Sequence, residues 1–275
     1  MSWINALLRP LFDGLLYPFR DLPPIVGLSV VSLLTAVGML LVFKRTSNQE
    51  ALEAVKRRIH ACLFEIRLFN DDLGAILRAQ LEILRHNLTY LRYSTAPMLW
   101  TLPPLVLMIA QLQFHYGYEG LQVGRDTLVK VRLAGDTAPD APRPDIAISA
   151  PPGLVVDEPA VWIPSEGEMD WRMRAEAPGD YQLVVTLNQE TVKKSVIAHD
   201  DVQRRSPYRS RGFLDELIYP AEPPIPSDSA IASISVTYPD ASVDVFGFGL
   251  HWMIVYFVLS IVFAFLLKGA FGVVM

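Results

Sequence analysis

The sequence predicts an α-helical membrane protein with three transmembrane helices, a cytoplasmic antiparallel coiled-coil hairpin and an extracytoplasmic β-sandwich. Three uncharged apolar stretches carry this prediction, at 25–43, 96–114 and 246–267. Each is long enough to cross the ~30 Å hydrocarbon core of a bilayer as a helix. The short interval between the first two stretches has helical periodicity, whereas the long interval between the last two alternates as β-strands do.

The composition of the chain limits which partners, disulfides and metal sites are expected. The chain has 275 residues, a net charge of −5 and a mean hydropathy of +0.29. This hydropathy is high for a soluble protein, and the modest charge gives no sign of a nucleic-acid partner. Because Cys62 is the only cysteine, the chain cannot form an internal disulfide, and we expect no thiolate zinc site. Cys62 is interpreted as a small buried residue on a helix.

The charges beside the first apolar stretch predict its orientation. Lys44 and Arg45 follow the stretch, and more basic residues follow at 56–58. The positive-inside rule therefore predicts that this end is cytoplasmic and that the N-terminus lies outside. A cleaved signal peptide is not expected, because its basic residues would precede the apolar core. The same orientation predicts a cytoplasmic tail at 268–275.

Residues 1–24 are predicted to form an amphipathic helix in the membrane interface. Asn5, Arg9 and Asp13 recur every fourth residue on one face. The other face carries the apolar residues Ile4, Leu7, Leu8, Leu11, Leu15 and Phe19. Two prolines at 23–24 break the helix before the first apolar stretch. The alternative is a simple N-terminal extension of that stretch.

The polar segment 44–95 is predicted to be the hairpin of two antiparallel coiled-coil helices. Its apolar residues follow alternating steps of three and four, at Leu52, Val55, Ile59, Cys62, Ile66, Phe69, Leu73 and Ile76. One straight helix would extend ~70 Å from the membrane, yet both ends must lie at the same membrane face. The segment must therefore fold back, and turn-forming residues at 70–74 mark the corner between arms of roughly 47–69 and 72–94. A capping box that begins at Ser47 opens the first arm.

Residues 115–245 are predicted to form a β-sandwich of seven or eight strands. Alternating segments at 127–133, 145–148, 170–174, 181–185 and 231–236 are separated by Pro- and Gly-rich turns. The segment from Ala175 to Tyr181 is similar to a strand-turn-strand corner of immunoglobulin-like sandwiches. A long loop at 199–226 carries the arginines Arg204, Arg205, Arg209 and Arg211. We interpret it either as a contact with anionic headgroups or a partner, or as a solvated insertion.

No catalytic constellation stands out, so we expect no enzyme activity and no cofactor. The candidate site residues are instead polar groups within the apolar stretches, namely Ser29, Ser32, Thr35, Thr101, Gln111 and His251. One interpretation is that they hold helices together. The other is that they line a partly hydrated groove, which lowers the cost of carrying unpaired peptide groups into lipid. His251 is also interpreted as a residue at the membrane interface.

The segment from Leu91 to Leu105, in which the second arm enters a proline-containing apolar stretch, resembles the entry into the second core helix of the Oxa1/YidC/Get1/EMC3 insertase superfamily. The order of elements is most similar to three-span EMC3/TMCO1-like members. The resemblance covers roughly 1–114 and 246–275. Two features depart from the family: 25–43 has no groove arginine, and the β-domain is not part of the minimal core.

The resemblance implies a membrane protein insertase or membrane-protein chaperone in a prokaryotic cytoplasmic membrane. The candidate groove residues would bind client helices, and the β-domain would bind an envelope partner or hold the spans in register. The hairpin would receive a hydrophobic client protein or a ribosome, with its tip formed by Asn70, Asp71, Asp72 and Gly74. No metal is implied. The alternative function is a structural or signalling subunit of an envelope complex, and an envelope enzyme is a third, disfavoured interpretation.

Overall fold

The computed structural model describes residues 2–69, 71–135, 138, 142–212, 215 and 218–273. The chain divides into two compact units. The first comprises Met1–Gly27 and Met108–Val255, and the second comprises Leu28–Leu107 and Tyr256–Met275.

Five α-helices lie within the described residues. They are α1 (Ser2–Leu16), α2 (Pro24–Thr46), α3 (Gln49–Leu68), α4 (Leu73–Tyr116) and α5 (Trp252–Phe271). Three helical segments are long and apolar enough to cross a membrane: Pro24–Thr46, Pro97–Tyr116 and Trp252–Phe271. This confirms the expected number of such helices, while their sidedness stays a prediction.

The β-domain of the first unit contains two larger antiparallel sheets. One has six strands, β1 (Asp126–Leu133), β3 (Leu154–Val156), β4 (Val161–Ile163), β5 (Glu168–Ala175), β8 (Tyr208–Ser210) and β9 (Ile231–Val236). The other has three strands, β2 (Ile146–Ser149), β6 (Asp180–Leu187) and β7 (Glu190–Ile197). The five alternating segments of the sequence correspond to β1, β2, β5, β6 and β9, so these strands are confirmed. The two sheets hold nine strands within the described residues, more than the seven or eight expected, and the described residues form a mixed α/β protein rather than an α-helical one.

Both sheets contribute to one apolar core. Val129, Trp171 and Ile234 come from the six-stranded sheet, and Leu183 and Val196 come from the three-stranded sheet. All five side chains are at most 1% exposed. The alternation of buried and more exposed residues along β5 and β6 is what a sheet with one covered face requires.

The corner between β5 and β6 is closed by a tyrosine. The Tyr181 hydroxyl donates a 2.7 Å hydrogen bond to the carbonyl oxygen of Ala177, four residues upstream. This contact is of the kind found at the corners of immunoglobulin-like sandwiches.

The third apolar stretch begins with strands, and this corrects the boundary expected at 246. The strands β10 (Val243–Val245) and β11 (Phe248–Leu250) pair as a hairpin. Its two loop residues, Phe246 and Gly247, have φ values of 55° and 86°, as a type I′ turn requires. The spanning-length helix therefore begins at Trp252. An apolar run alone does not distinguish a short strand from the start of a helix.

In the second unit, α3 and α4 lie antiparallel. Cys62 Sγ is 3.7 Å from Glu82 Oε2, and Lys56 Nζ is 5.8 Å from the centroid of the Tyr90 ring. Residues earlier in α3 thus contact residues later in α4. The fold-back expected from the sequence is present between Leu68 and Leu73.

Side-chain caps fix the ends of this hairpin. The side chain of Asn48 accepts a 3.1 Å hydrogen bond from the Ala51 amide, so the N-cap of α3 is one residue later than the expected Ser47. Asp72 Oδ1 accepts hydrogen bonds from the amides of Gly74 and Ala75, at 2.8 and 3.1 Å. These bonds satisfy amides that have no partner within the first turn of α4. Asn70, expected at the tip, lies outside the described residues.

Candidate functional site

The amphipathic helix α1 turns its polar face towards the rest of the first unit. Asn5 is 1% exposed, and the Arg9 guanidinium donates hydrogen bonds to the carbonyl oxygens of Pro220 and Glu222, at 2.6 and 2.9 Å. Leu7 and Leu11 are 64% and 59% exposed. This outward apolar face is the arrangement expected of a helix that lies in a membrane interface.

The arginines of the 199–226 loop are engaged within the molecule. Arg204 donates to the carbonyl oxygen of Arg9 and to Asp13. Arg205 donates to three carbonyl oxygens, those of Tyr118, His199 and Asp201. Arg209 and Arg211 donate to the carbonyl oxygens of Pro223 and Ser229, respectively. These side chains hold the loop in place, and the contact with anionic headgroups or a partner expected of this loop stays a prediction.

A buried ion pair anchors the same loop to β7. The Lys194 side chain is 0% exposed, and its Nζ lies 2.5 Å from Glu222 Oε2 and 2.8 Å from Ser206 Oγ. Burial lowers the pKa of Lys194. Burial alone would raise the pKa of Glu222, but the Lys194 ammonium and the hydrogen bonds from Ser206 and the Ser195 amide lower it overall. Every charged atom here has a partner, which indicates a structural role.

Ser32 and Thr35, two of the candidate groove residues, join α2 to α5. Ser32 Oγ donates a 3.3 Å hydrogen bond to the Tyr256 carbonyl oxygen, and the Tyr256 hydroxyl donates a 3.1 Å bond to Thr35 Oγ1. Ser32 and Thr35 are 0% and 4% exposed. These contacts are those of polar residues that hold helices together. Ser29 on the same helix is half-buried.

The remaining candidate groove residues have different local partners. Thr101 Oγ1 donates to the Met98 carbonyl oxygen within α4, at 2.9 Å. Gln111 is 2% exposed. His251 precedes α5 and is exposed, and its Nδ1 accepts a 3.2 Å hydrogen bond from the Met253 amide. His251 is therefore a helix cap rather than a residue inside the span. A role for these residues in client binding stays a prediction.

Sequence reasoning missed an exposed leucine face on α4. The face consists of Leu73, Leu77, Leu81, Leu84, Leu88 and Leu91, each between 54% and 72% exposed. Their spacing of four, four, three, four and three residues places them on one side of a helix. We call this set the leucine face. A polar segment with such a continuous apolar surface is typical of a binding region.

Alanines occupy the opposite, inward side of α4. Ala75 and Ala79 are 8% and 1% exposed, and their spacing places them on the same side of α4 as Glu82, which contacts Cys62 of α3. The seam expected from the sequence placed Leu73 and Ile76 of α4 inwards; Ile76 is half-buried, whereas Leu73 is 72% exposed. The regular spacing of the six leucines, interpreted as a second coiled-coil seam, would have predicted the leucine face.

The tip of the hairpin extends the apolar surface. Phe64, Leu68 and Phe69 at the end of α3 are 67%, 74% and 46% exposed. Asp71, Asp72 and Gly74 of the expected tip are exposed as well. The tip therefore presents both apolar side chains and carboxylates to solvent.

Three side chains with metal-ligand chemistry meet between the arms. The ligand atoms of Cys62, Glu82 and His86 all lie within 4.8 Å of one another. Burial raises the pKa of the Cys62 thiol, and the nearby carboxylates of Glu82 and Glu65 raise it further. A single cysteine excludes zinc sites that need several thiolate ligands. It does not exclude a site with one thiolate, one carboxylate and one imidazole.

Comparison of the chain with known protein families, curated proteins and solved structures finds no match.

Proposed function

We propose that the chain is a membrane protein insertase or membrane-protein chaperone whose helical hairpin binds hydrophobic segments of client proteins. The leucine face is the observation that carries this proposal. Apolar side chains that protrude from a polar hairpin lower the free energy when another apolar segment covers them, at about 25 cal/mol per Å² of apolar surface buried. A hydrophobic client segment is such a partner.

The rest of the molecule supplies what this function requires. Three helical segments have the length and hydropathy of membrane spans, and the exposed apolar side of α1 suits the membrane interface. Lys44 and Arg45 at the end of α2 favour a cytoplasmic hairpin, next to the site where nascent chains appear. The β-domain would then lie outside the membrane, in the orientation that the superfamily resemblance implies.

The contacts of Ser32 and Thr35 leave their hydroxyls unavailable for binding a client. Their hydroxyls are hydrogen-bonded to Tyr256 or to helix backbone and are almost fully buried. We therefore assign first contact with the client to the leucine face of the hairpin, and not to these hydroxyls.

Site-specific photocrosslinking in cells tests the proposal. A photoreactive amino acid replaces Leu84 in the full chain, and the matched control places it at Asn87, an exposed polar position on the same helix. We expect position 84 to crosslink to many newly made membrane proteins and position 87 to crosslink to far fewer. Equal, weak crosslinking at both positions would contradict a client-binding leucine face.

Depletion of the protein tests the insertase activity itself. We expect membrane proteins with short translocated tails to accumulate uninserted, as judged by protease protection of those tails. Restoring the wild-type chain should restore their insertion. Normal insertion of every client after depletion contradicts the proposal.

The spacing of the leucine face favours one second candidate function. Steps of three and four residues are those of a coiled-coil seam, so a single permanent helical partner would also cover it. The chain would then be a structural or signalling subunit of an envelope complex. Crosslinking from position 84 to one stoichiometric protein, instead of many, would identify this function.

A further inference from the structure

The geometry points to a divalent-metal site between the two arms of the hairpin, formed by Cys62, Glu82 and His86 and suited to zinc. The site is independent of the proposed client-binding function. It would link α3 to α4 through one ion.

The placement of the three residues follows from helix geometry. Glu82 and His86 are four residues apart on α4, so their side chains lie on the same face. Cys62 approaches from α3, because the two helices are antiparallel. Two ligands from one helix and one from its neighbour thus meet at a single point.

The distances suit a metal of the size of zinc. A tetrahedral zinc ion with bonds of about 2.3 Å to sulfur and about 2.1 Å to oxygen holds these two atoms about 3.6 Å apart. Cys62 Sγ and Glu82 Oε2 are separated by 3.7 Å. The ligand atom of His86 is within 4.8 Å of both, so a small rotamer change completes the set.

The ligand types and their exposure point to the same class of metal. A thiolate, an imidazole and a carboxylate are the ligands that zinc accepts, whereas calcium and magnesium prefer oxygen alone. Cys62 is 5% exposed, whereas His86 is half-buried and Glu82 is exposed. The exposed side gives an ion access and leaves a fourth position for water. Binding converts the thiol to a thiolate and releases one proton to solvent.

Cobalt(II) titration of the full chain in detergent tests the site. Co²⁺ replaces Zn²⁺ in such sites and reports a bound thiolate through a sulfur-to-cobalt charge-transfer band in the near ultraviolet. We expect one Co²⁺ per chain, an intense charge-transfer band, and loss of the band when Zn²⁺ is added. The absence of any band at saturating Co²⁺ overturns the proposal.

Variants separate this site from adventitious binding. Cys62→Ser should abolish the band, and Glu82→Gln and His86→Ala should each weaken Co²⁺ binding by at least about tenfold, since even indirect partners of a metal site change affinity that much. His60→Ala, at an exposed histidine of α3, is the matched control and should bind as the wild type does. Because Glu82 is exposed, we expect its variant to keep the hairpin folded even if Cys62→Ser does not. Wild-type affinity in both the Glu82 and the His86 variants overturns the proposal.

Discussion

Arg204 and Asp13 form an ion pair with a 2.9 Å separation that connects the 199–226 loop to the polar face of α1. The same guanidinium donates a 2.6 Å hydrogen bond to the carbonyl oxygen of Arg9. The Arg204 side chain is 9% exposed, whereas that of Asp13 is 53% exposed. One arginine therefore holds α1 at two points, and this contact keeps the apolar side of α1 facing outwards.

We expect Arg204→Ala to loosen α1 and to lower stability by about 2 kcal/mol. Two charge-assisted hydrogen bonds are lost, each worth about 1.5–3 kcal/mol when well shielded, and solvent screening at the half-exposed Asp13 reduces the total. In thermal unfolding of the detergent-solubilised chain, the midpoint should fall by about 4–8 °C.

Arg125→Ala is the control for this measurement, because Arg125 is exposed. Its midpoint should stay within about 1 °C of the wild type. A similar midpoint for Arg204→Ala would show that the pair contributes nothing measurable.

The role of these arginines could not be predicted from the sequence. Arg204 and its acceptor on Arg9 are separated by 195 residues, and composition shows a charge without showing its partner. Four arginines in one long loop therefore indicate either a contact with anionic headgroups or a partner, or a solvated insertion. The strands, by contrast, follow from local alternation, which needs no knowledge of distant contacts.

The buried pair of Lys194 and Glu222 predicts a strong non-additive effect on stability. Glu222→Ala leaves the buried Lys194 ammonium without its carboxylate, so we expect a loss of about 3 kcal/mol or more. The double variant Lys194→Met/Glu222→Ala should recover part of this loss, because no unpaired charge remains. Lys193→Met, at the exposed neighbouring position, serves as the control. Additive effects in the double-mutant cycle would contradict a coupled pair.

The environment of Asp201 predicts that the first unit loses stability at acidic pH. Burial alone would raise the pKa of Asp201, but the hydrogen bond from Arg20 and the charge of His199 lower it below its usual value. A carboxyl group whose pKa is lower in the folded state stabilises the fold above its unfolded pKa of about 3.9, and the stabilisation is lost as the pH falls through the folded pKa. The apparent melting midpoint should therefore drop as the pH falls below about 4.

Asp201→Asn tests the source of this drop. The variant should be less stable than the wild type at pH 6, and the difference should shrink at pH 3, which lies below the unfolded pKa of about 3.9. Asp21→Asn is the control, because the Asp21 side chain is 86% exposed and lies 3.9 Å from the same Arg20. A constant difference at both pH values would assign the loss to something other than the carboxylate charge.

The hairpin shows where prediction from the sequence reaches its limit. The fold-back and the capping region at Asp72 follow from geometry and from local turn chemistry. The inward face of α4 does not, because two sets of residues have coiled-coil spacing. Ala75 and Ala79 are buried there, and which residues face inwards depends on the partner helix, which periodicity does not reveal.

Cysteine accessibility can decide how the polar residues of the second unit function. In a Cys62→Ser background the introduced thiol is the only one, since Cys62 is the only native cysteine. Thr35 is 4% exposed, whereas Thr95 is exposed and precedes the apolar segment Pro97–Tyr116, so Thr35→Cys should react with a small water-soluble alkylating reagent at least tenfold more slowly than Thr95→Cys. Equal rates would show a hydrated groove at Thr35 and would restore its role as a client-binding residue.

The triple variant Leu81→Gln/Leu84→Gln/Leu88→Gln tests the proposed function most directly. All three leucines are more than half exposed, and glutamine is a good helix former, so the hairpin should keep its circular dichroism spectrum and melting midpoint. Covering a leucine is worth about 1.5–3 kcal/mol. Partial loss of this at three positions should weaken client crosslinking at least about 100-fold, measured from a photoreactive residue at the exposed position 77 of the same face. The matched control changes the neighbouring polar positions, Gln80→Ala/Arg85→Ala/Asn87→Ala, and should insert clients as the wild type does. If the leucine variant also supports normal insertion in depleted cells, then the leucine face does not bind clients, and the proposed function loses the observation that carries it.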